Sequence, residues 1–137
     1  MTEAAVATRS LVMEREYKHA QDKVWRALTE GPLLEQWLMK NDFEPVVGRK
    51  FTFRADPTPH WNGLLDGQVI EVSPQDRLVY SWYSWVVTWT LKPTADGVMV
   101  RMEQAGFGPE MDAAYKGAQY GWNKFLGQLD VVLGNIQ

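Results

Sequence analysis

The end of the chain limits the fold more than any other stretch. Met111, Tyr115, Ala118, Trp122, Phe125, Leu129, Val132 and Ile136 recur at steps of four and three. That spacing keeps returning to one side of an α-helix, so it predicts an apolar stripe over about seven turns. A helix of that length must lay its stripe on something apolar, and the residues before it supply a sheet.

Those residues read as short strands broken by turn chemistry. RSLVMEREY (9–17) partly alternates, and RKFTFRA (49–55) sets Phe51 and Phe53 opposite Lys50, Thr52 and Arg54. Further strands are predicted over 64–72, 77–83, 85–92 and 98–105. DPTPHWNG (56–63) is a loop, Ser73-Pro74 ends a strand, a tight turn falls near Ser84, and PTADG (93–97) is a hairpin turn. Connections this short imply antiparallel pairing, because parallel strands need long crossovers. Between the first two strands, DKVWRALT (22–29) and PLLEQWLM (32–39) carry apolar residues at helical spacing. Gly31-Pro32 separates them, so two short helices form a V, with Leu33, Leu34, Trp37 and Leu38 turned inward. The sum is an α+β architecture in which an antiparallel sheet packs on one long helix. No repeat, linker or low-complexity tract divides the chain. One domain over 1–137 is expected, with an ordered core over about 9–136 and a loose start over 1–8.

Composition narrows the function. A net charge of −3 and the lack of any Lys/Arg run argue against nucleic acid and against a polybasic membrane patch. No stretch is apolar enough for a signal peptide or a membrane span, and zero cysteines suit a cytoplasmic location. Seven Trp, five Tyr and five Phe are the unusual feature. So many rings either fill an interior or line a cavity.

Five strings carry a resemblance: VWRALTEGPLLEQWL (24–38), VGRKFTF (47–53), GQVIEVSPQDRLVYSW (67–82), VTWTLKPTADGVMVRMEQAGF (87–107) and GWNKFLGQL (121–129). In this order they resemble the START-like (SRPBCC) superfamily, and within it the family homologous to the activator of the heat-shock protein 90 ATPase. The resemblance implies the helix-grip fold, a curved antiparallel sheet wrapped around the long C-terminal helix. One departure is local: only Tyr83-Ser84 separate Trp82 from Trp85, where similar proteins carry a longer connection, so one rim of a cavity could be narrowed.

With the apolar face inward, Phe51, Phe53, Trp82, Trp89 and Met102 face Tyr115, Trp122 and Phe125, and Trp61 on the Pro-rich loop could close the mouth. These nine are the candidate cavity lining, and they serve equally well as core filling. The strand over 64–72 carries apolar residues on both faces, which leaves its inward side open. Gly117 and Gly121 cost the helix roughly 1 kcal/mol each against Ala. They either thin it beside a ligand or permit a kink.

Asp66, Glu71, Tyr80, Arg101 and Glu103 are the polar candidates. An inward one would mark a site, whereas strand charges ordinarily face solvent, and the parity of Arg101 and Glu103 favours solvent. His19 and His60 are the near-neutral acid–base groups, and both fall in loops. No metal-ligand spacing, nucleophile elbow or phosphate loop is present, so no metal, cofactor or catalytic set is expected.

The expectation is a non-enzymatic protein that binds a small hydrophobic, lipid-like or aromatic ligand between sheet and long helix. A chaperone-ATPase partner, which the resemblance implies, comes second, because the eukaryotic activator works with an additional N-terminal domain for which this chain has no room. A cyclase- or hydrolase-like enzyme using His60, Asp66 or Arg101 in the same cavity comes third.

Overall fold

The computed structural model describes residues 8–59 and 61–136, so residues 1–7, His60 and Gln137 lie outside the described residues. Its strands are β1 (Arg9–Tyr17), β2 (Lys40–Asn41), β3 (Lys50–Arg54), β4 (Leu64–Ser73), β5 (Arg77–Trp82), β6 (Trp85–Pro93) and β7 (Val98–Phe107). The helices are α1 (Gln21–Thr29), α2 (Gly31–Trp37) and α3 (Asp112–Asn135). All seven strands join one antiparallel sheet in the order β1-β7-β6-β5-β4-β3-β2. The predicted α+β helix-grip architecture is the observed one. No helix among the described residues is long and apolar enough to cross a membrane.

Period-two alternation places the inner face. Val87, Trp89 and Leu91 of β6 and Val98, Val100, Met102 and Gln104 of β7 are buried, while their neighbours look outward. The ambiguity over β4 is resolved by a bulge between Val69 and Glu71. Before it Leu65, Gly67 and Val69 form one row; the extra residue leaves both Ile70 and Glu71 exposed. Gly67 has a steric reason, because a Cβ there would lie 2.0 Å from the Ser81 carbonyl oxygen and 2.5 Å from the Phe51 ring.

The helical V forms as Gly31-Pro32 suggests, although α2 starts at Gly31, one residue earlier than expected. Extended Glu30 ends α1 through its N–H on the Arg26 carbonyl (2.8 Å) and opens α2 by accepting from Leu34 N–H (2.9 Å). Trp37 ties the two arms together by donating its indole N–H to the Ala27 carbonyl (2.9 Å). β2 was not foreseen: two polar residues carry no alternation to read. Its Asn41 donates to the Gly31 and Met39 carbonyls and accepts from Phe43 N–H. That knot drives Phe43 into the core.

Along α3 the apolar stripe meets two different surroundings. Trp122, Leu126, Leu129, Val132 and Leu133 are buried. Tyr17 fastens this half by donating its hydroxyl to the Leu126 carbonyl (2.8 Å), and burial pushes the phenol's pKa above its ordinary value. From Asp112 to Gly121 no residue is buried. There, side-chain contacts at the helix start hold α3 in place. Arg9 pairs with Asp112 (2.7 Å), Lys116 reaches the same carboxylate (3.3 Å), and the Arg9 guanidinium lies 3.8 Å from the Tyr115 ring centre.

Candidate functional site

Under the free half of α3 lies a cleft of about 1070 Å³, large enough for a drug-sized molecule. Its roof is the small-residue face of the helix, Ala114, Gly117, Ala118 and Gly121, continuing into Trp122 and Phe125. A Cβ added at Gly117 would meet nothing within 4 Å, and one at Gly121 only the Phe125 ring, at 4.0 Å. These glycines therefore leave space that side chains would otherwise take. The opposite wall comes from the sheet, with Leu65 and Asp66 of β4, Trp82 of β5, Trp85 of β6 and Gln104 of β7. Thr58, Pro59, Trp61 and Asn62 close one end from the loop before β4, and Met39 reaches in from just after α2.

The loop holds its shape through a Thr58–Trp61 bridge and the Trp61 indole N–H on the Leu64 carbonyl (3.1 Å). The two-residue connection between β5 and β6 forms another rim. Trp82 pairs with Trp85, and Tyr83 takes a left-handed conformation (φ 58°) rare for an aromatic residue. The Tyr83 N–H donates to the Asp66 carbonyl (2.9 Å), which explains how the turn is held. Its side chain projects exposed at the mouth.

Of the nine candidate lining residues, Trp61, Trp82, Trp122 and Phe125 stand on the cleft wall. Phe51, Phe53, Trp89 and Met102 do not; they are packed core. Phe43 lies 5.1 Å from Phe51 and 6.3 Å from Phe53, ring to ring, and covers both. Trp89 is enclosed by Trp37 (5.9 Å) and Trp122 (5.6 Å), and Met102 has no exposed surface. Alternation assigned them to the correct face, but the helical V and Phe43 cover that end of it. Tyr115 points to Phe107 (5.1 Å) and Arg9 rather than into the cleft.

The polar candidates separate in the same way. Asp66 borders the cleft, but its carboxylate accepts from the Thr52 hydroxyl (2.7 Å) on the outer face of the sheet. Tyr80 points inward but sits in the core, accepting from the Trp89 indole N–H (3.0 Å), and burial pushes its phenol pKa up. Glu71 pairs with Arg77 (3.2 Å), and Arg101 with Glu103 (3.1 Å), away from the cleft. His19 lies between Lys23 (3.3 Å) and Asp130 (3.9 Å), also away from it. Among the described residues no three metal-ligating side chains gather.

Gln104 and Trp85 are among the cleft residues that sequence reasoning missed. Gln104, only 3% exposed, continues the inward row of Val98, Val100 and Met102; a polar side chain at an inward position was the available signal. It accepts from the Trp122 indole N–H at 2.6 Å. Trp85 lines the cleft while its indole nitrogen is buried without a hydrogen-bond partner. Its strand position gave no hint of that.

Solved structures with the same architecture are numerous. Protein MLL2253 of Mesorhizobium loti is 43% identical, with a TM-score of 0.87 over 94% of this chain and 99% of its own. A Rhodobacter sphaeroides protein is 25% identical (TM-score 0.77; 97% and 100% covered). Protein BH1534 of Bacillus halodurans, 22% identical (0.80; 94% and 99%), shares the fold. No curated protein matches the chain. The family model described as Activator of Hsp90 ATPase homolog 1-like protein matches residues 18–134, from the turn after β1 to the last turn of α3. A match of that extent settles kinship, and the chain belongs to the Activator of Hsp90 ATPase homolog 1-like family.

Proposed function

We propose that this protein is a non-catalytic binder that holds one small apolar molecule in the cleft beneath the first half of α3, in the cytoplasm. The observation that carries this reading is the pairing of an aromatic wall with a glycine-bearing roof. Trp61, Trp82, Trp85, Trp122 and Phe125 offer apolar area, while Gly117 and Gly121 keep the space between open. A helix that only needed to pack would gain from side chains at both positions. Asp66 is the one charged side chain among the described lining residues, and Thr52 already engages it, which leaves little for acid–base chemistry.

Native mass spectrometry of freshly purified protein, followed by organic extraction, tests the proposal. A reproducible extra mass that extracts into solvent supports it. A clean apo mass, with Trp fluorescence unmoved by a panel of acyl and aromatic compounds, overturns it. In that case the chaperone-directed role named in the family's description becomes the better reading.

A further inference from the structure

We infer that the cleft selects its ligand by an uncharged carbonyl oxygen, received by the side-chain N–H groups of Gln104 and Trp85, and discriminates against carboxylates. This deepens the binding reading above and rests on it.

The chemistry of Gln104 fixes which end of its carboxamide faces which way. An indole nitrogen only donates, so the group lying 2.6 Å from Trp122 Nε1 must be the Gln104 oxygen. The carboxamide nitrogen is thereby left with two N–H bonds, and among the described residues it donates neither of them. Gln104 is almost wholly buried, but its unpaired amide nitrogen is not enclosed and keeps accessible surface on the cleft wall. Trp85 supplies a second donor, an indole N–H that has no acceptor and is enclosed, so a ligand oxygen meets it only once the ring turns toward the cleft.

Strand register brings the two together. Gln104 stands opposite Val87 on the neighbouring strand, and Trp85 lies two residues before Val87 on the same face. They are diagonal neighbours, about 7–8 Å apart at the backbone and within mutual reach for long side chains. An enclosed donor without an acceptor is destabilising. This enclosed donor and the cleft-facing carboxamide of Gln104 are neighbours on one apolar wall, and the chain provides an acceptor for neither.

The sign of the local charge decides the kind of acceptor. The lining contains no Lys or Arg among the described residues, and the Asp66 carboxylate is held by Thr52 on the outer face of the sheet. A bound carboxylate would lose its hydration without gaining a counter-ion. A ketone or amide carbonyl has an oxygen of similar shape and no charge to desolvate.

Three probes with one apolar body isolate the acceptor: 2-acetylphenanthrene, 2-ethylphenanthrene and phenanthrene-2-carboxylate, titrated calorimetrically into the full chain. The ketone is expected to bind at least about fivefold more tightly than the ethyl compound, with the carboxylate weakest. Gln104→Glu keeps an acceptor for Trp122 but removes the donors, and Trp85→Phe keeps an aromatic ring, a smaller one, but removes the N–H. Each should bring the ratio of ketone to ethyl affinity down toward one, whatever it does to the affinity that both compounds share. Because the readout is a ratio within each protein, a change in folding does not imitate it. Equal binding of ketone and ethyl compound overturns the carbonyl inference and leaves the cleft as a binding site. A carboxylate that binds most tightly overturns the charge argument. Failure of all three to bind overturns the binding reading itself, and this inference with it.

Discussion

The two halves of α3 continue one stripe in the sequence but do different work. Past Gly121 the stripe is sealed against the sheet: Trp122 packs at a tilt against Trp82 (5.7 Å) and edge-to-face against Trp89 (5.6 Å), and Leu126, Leu129, Val132 and Leu133 are buried. Before it the helix hangs over an open cleft and is held at its start by Arg9, Asp112 and Tyr115. The sealed half carries large side chains on its stripe; the open half carries Ala114, Gly117, Ala118 and Gly121. A helix can thus keep its register over its whole length while side-chain volume alone decides where it packs and where it leaves room.

The largest test of that contrast removes a ring from each side. Trp89→Ala in the sealed region should cost about 3–5 kcal/mol in chemical denaturation, because the cavity left by an enclosed indole cannot collapse. Trp61→Ala on the cleft loop should stay within about 1 kcal/mol. Equal losses would mean that the cleft wall is ordinary core.

Filling the roof comes next. Gly121→Leu places a side chain beside Phe125, where there is space for it, so stability should hold or rise. Binding of 2-acetylphenanthrene should weaken by about tenfold or more in calorimetric titration, through excluded volume. Unchanged affinity would place the ligand elsewhere.

A smaller effect concerns the cost of leaving the roof thin. Gly117→Ala should stabilise the protein by up to about 1 kcal/mol in thermal melts, since the added methyl meets nothing. Destabilisation would show that the glycine serves a bend rather than an opening.

The smallest effect concerns the clamp on the open half. Hydrogen bonds from Arg9 and Lys116 hold the Asp112 carboxyl below its ordinary pKa of 3.8. A lowered folded pKa means that the contribution is complete above 3.8 and is lost as pH falls through the folded value. The stability gap between the parent and Asp112→Asn should therefore persist from neutral pH to about 5 and close in strong acid. It should also shrink with added salt, since both partners are exposed. A gap that ignores pH would remove the ion pair from the account.

Much of this contrast was legible in the sequence, and the remainder has physical reasons. Alternation identified the inner faces of β3, β5, β6 and β7 because a sheet with one buried face enforces period two. It could not say how far along that face the cover extends. Phe51 and Phe53 fall under Phe43, which reaches the core through a side-chain knot at Asn41 rather than through any periodic pattern. The glycines in α3 announced either an opening or a bend, and only the space around Gly117 and Gly121 favours the first. Gln104 was readable as a polar residue in an inward row. Its orientation follows only from Trp122, eighteen residues away.

The indole N–H signals in a ¹H–¹⁵N NMR titration offer the most direct test, because the tryptophans divide between the two regions. Trp61, Trp82, Trp85 and Trp122 line the cleft, whereas Trp37 and Trp89 are buried away from it. With 2-acetylphenanthrene added, the cleft account predicts large shifts for Trp61 and Trp85 and smaller ones for Trp82 and Trp122. Trp37 and Trp89, hydrogen-bonded to Ala27 and Tyr80, should not move. Shifts concentrated on Trp37 and Trp89, or spread evenly over all the indoles, would contradict the claim that the open half of α3 roofs a binding site.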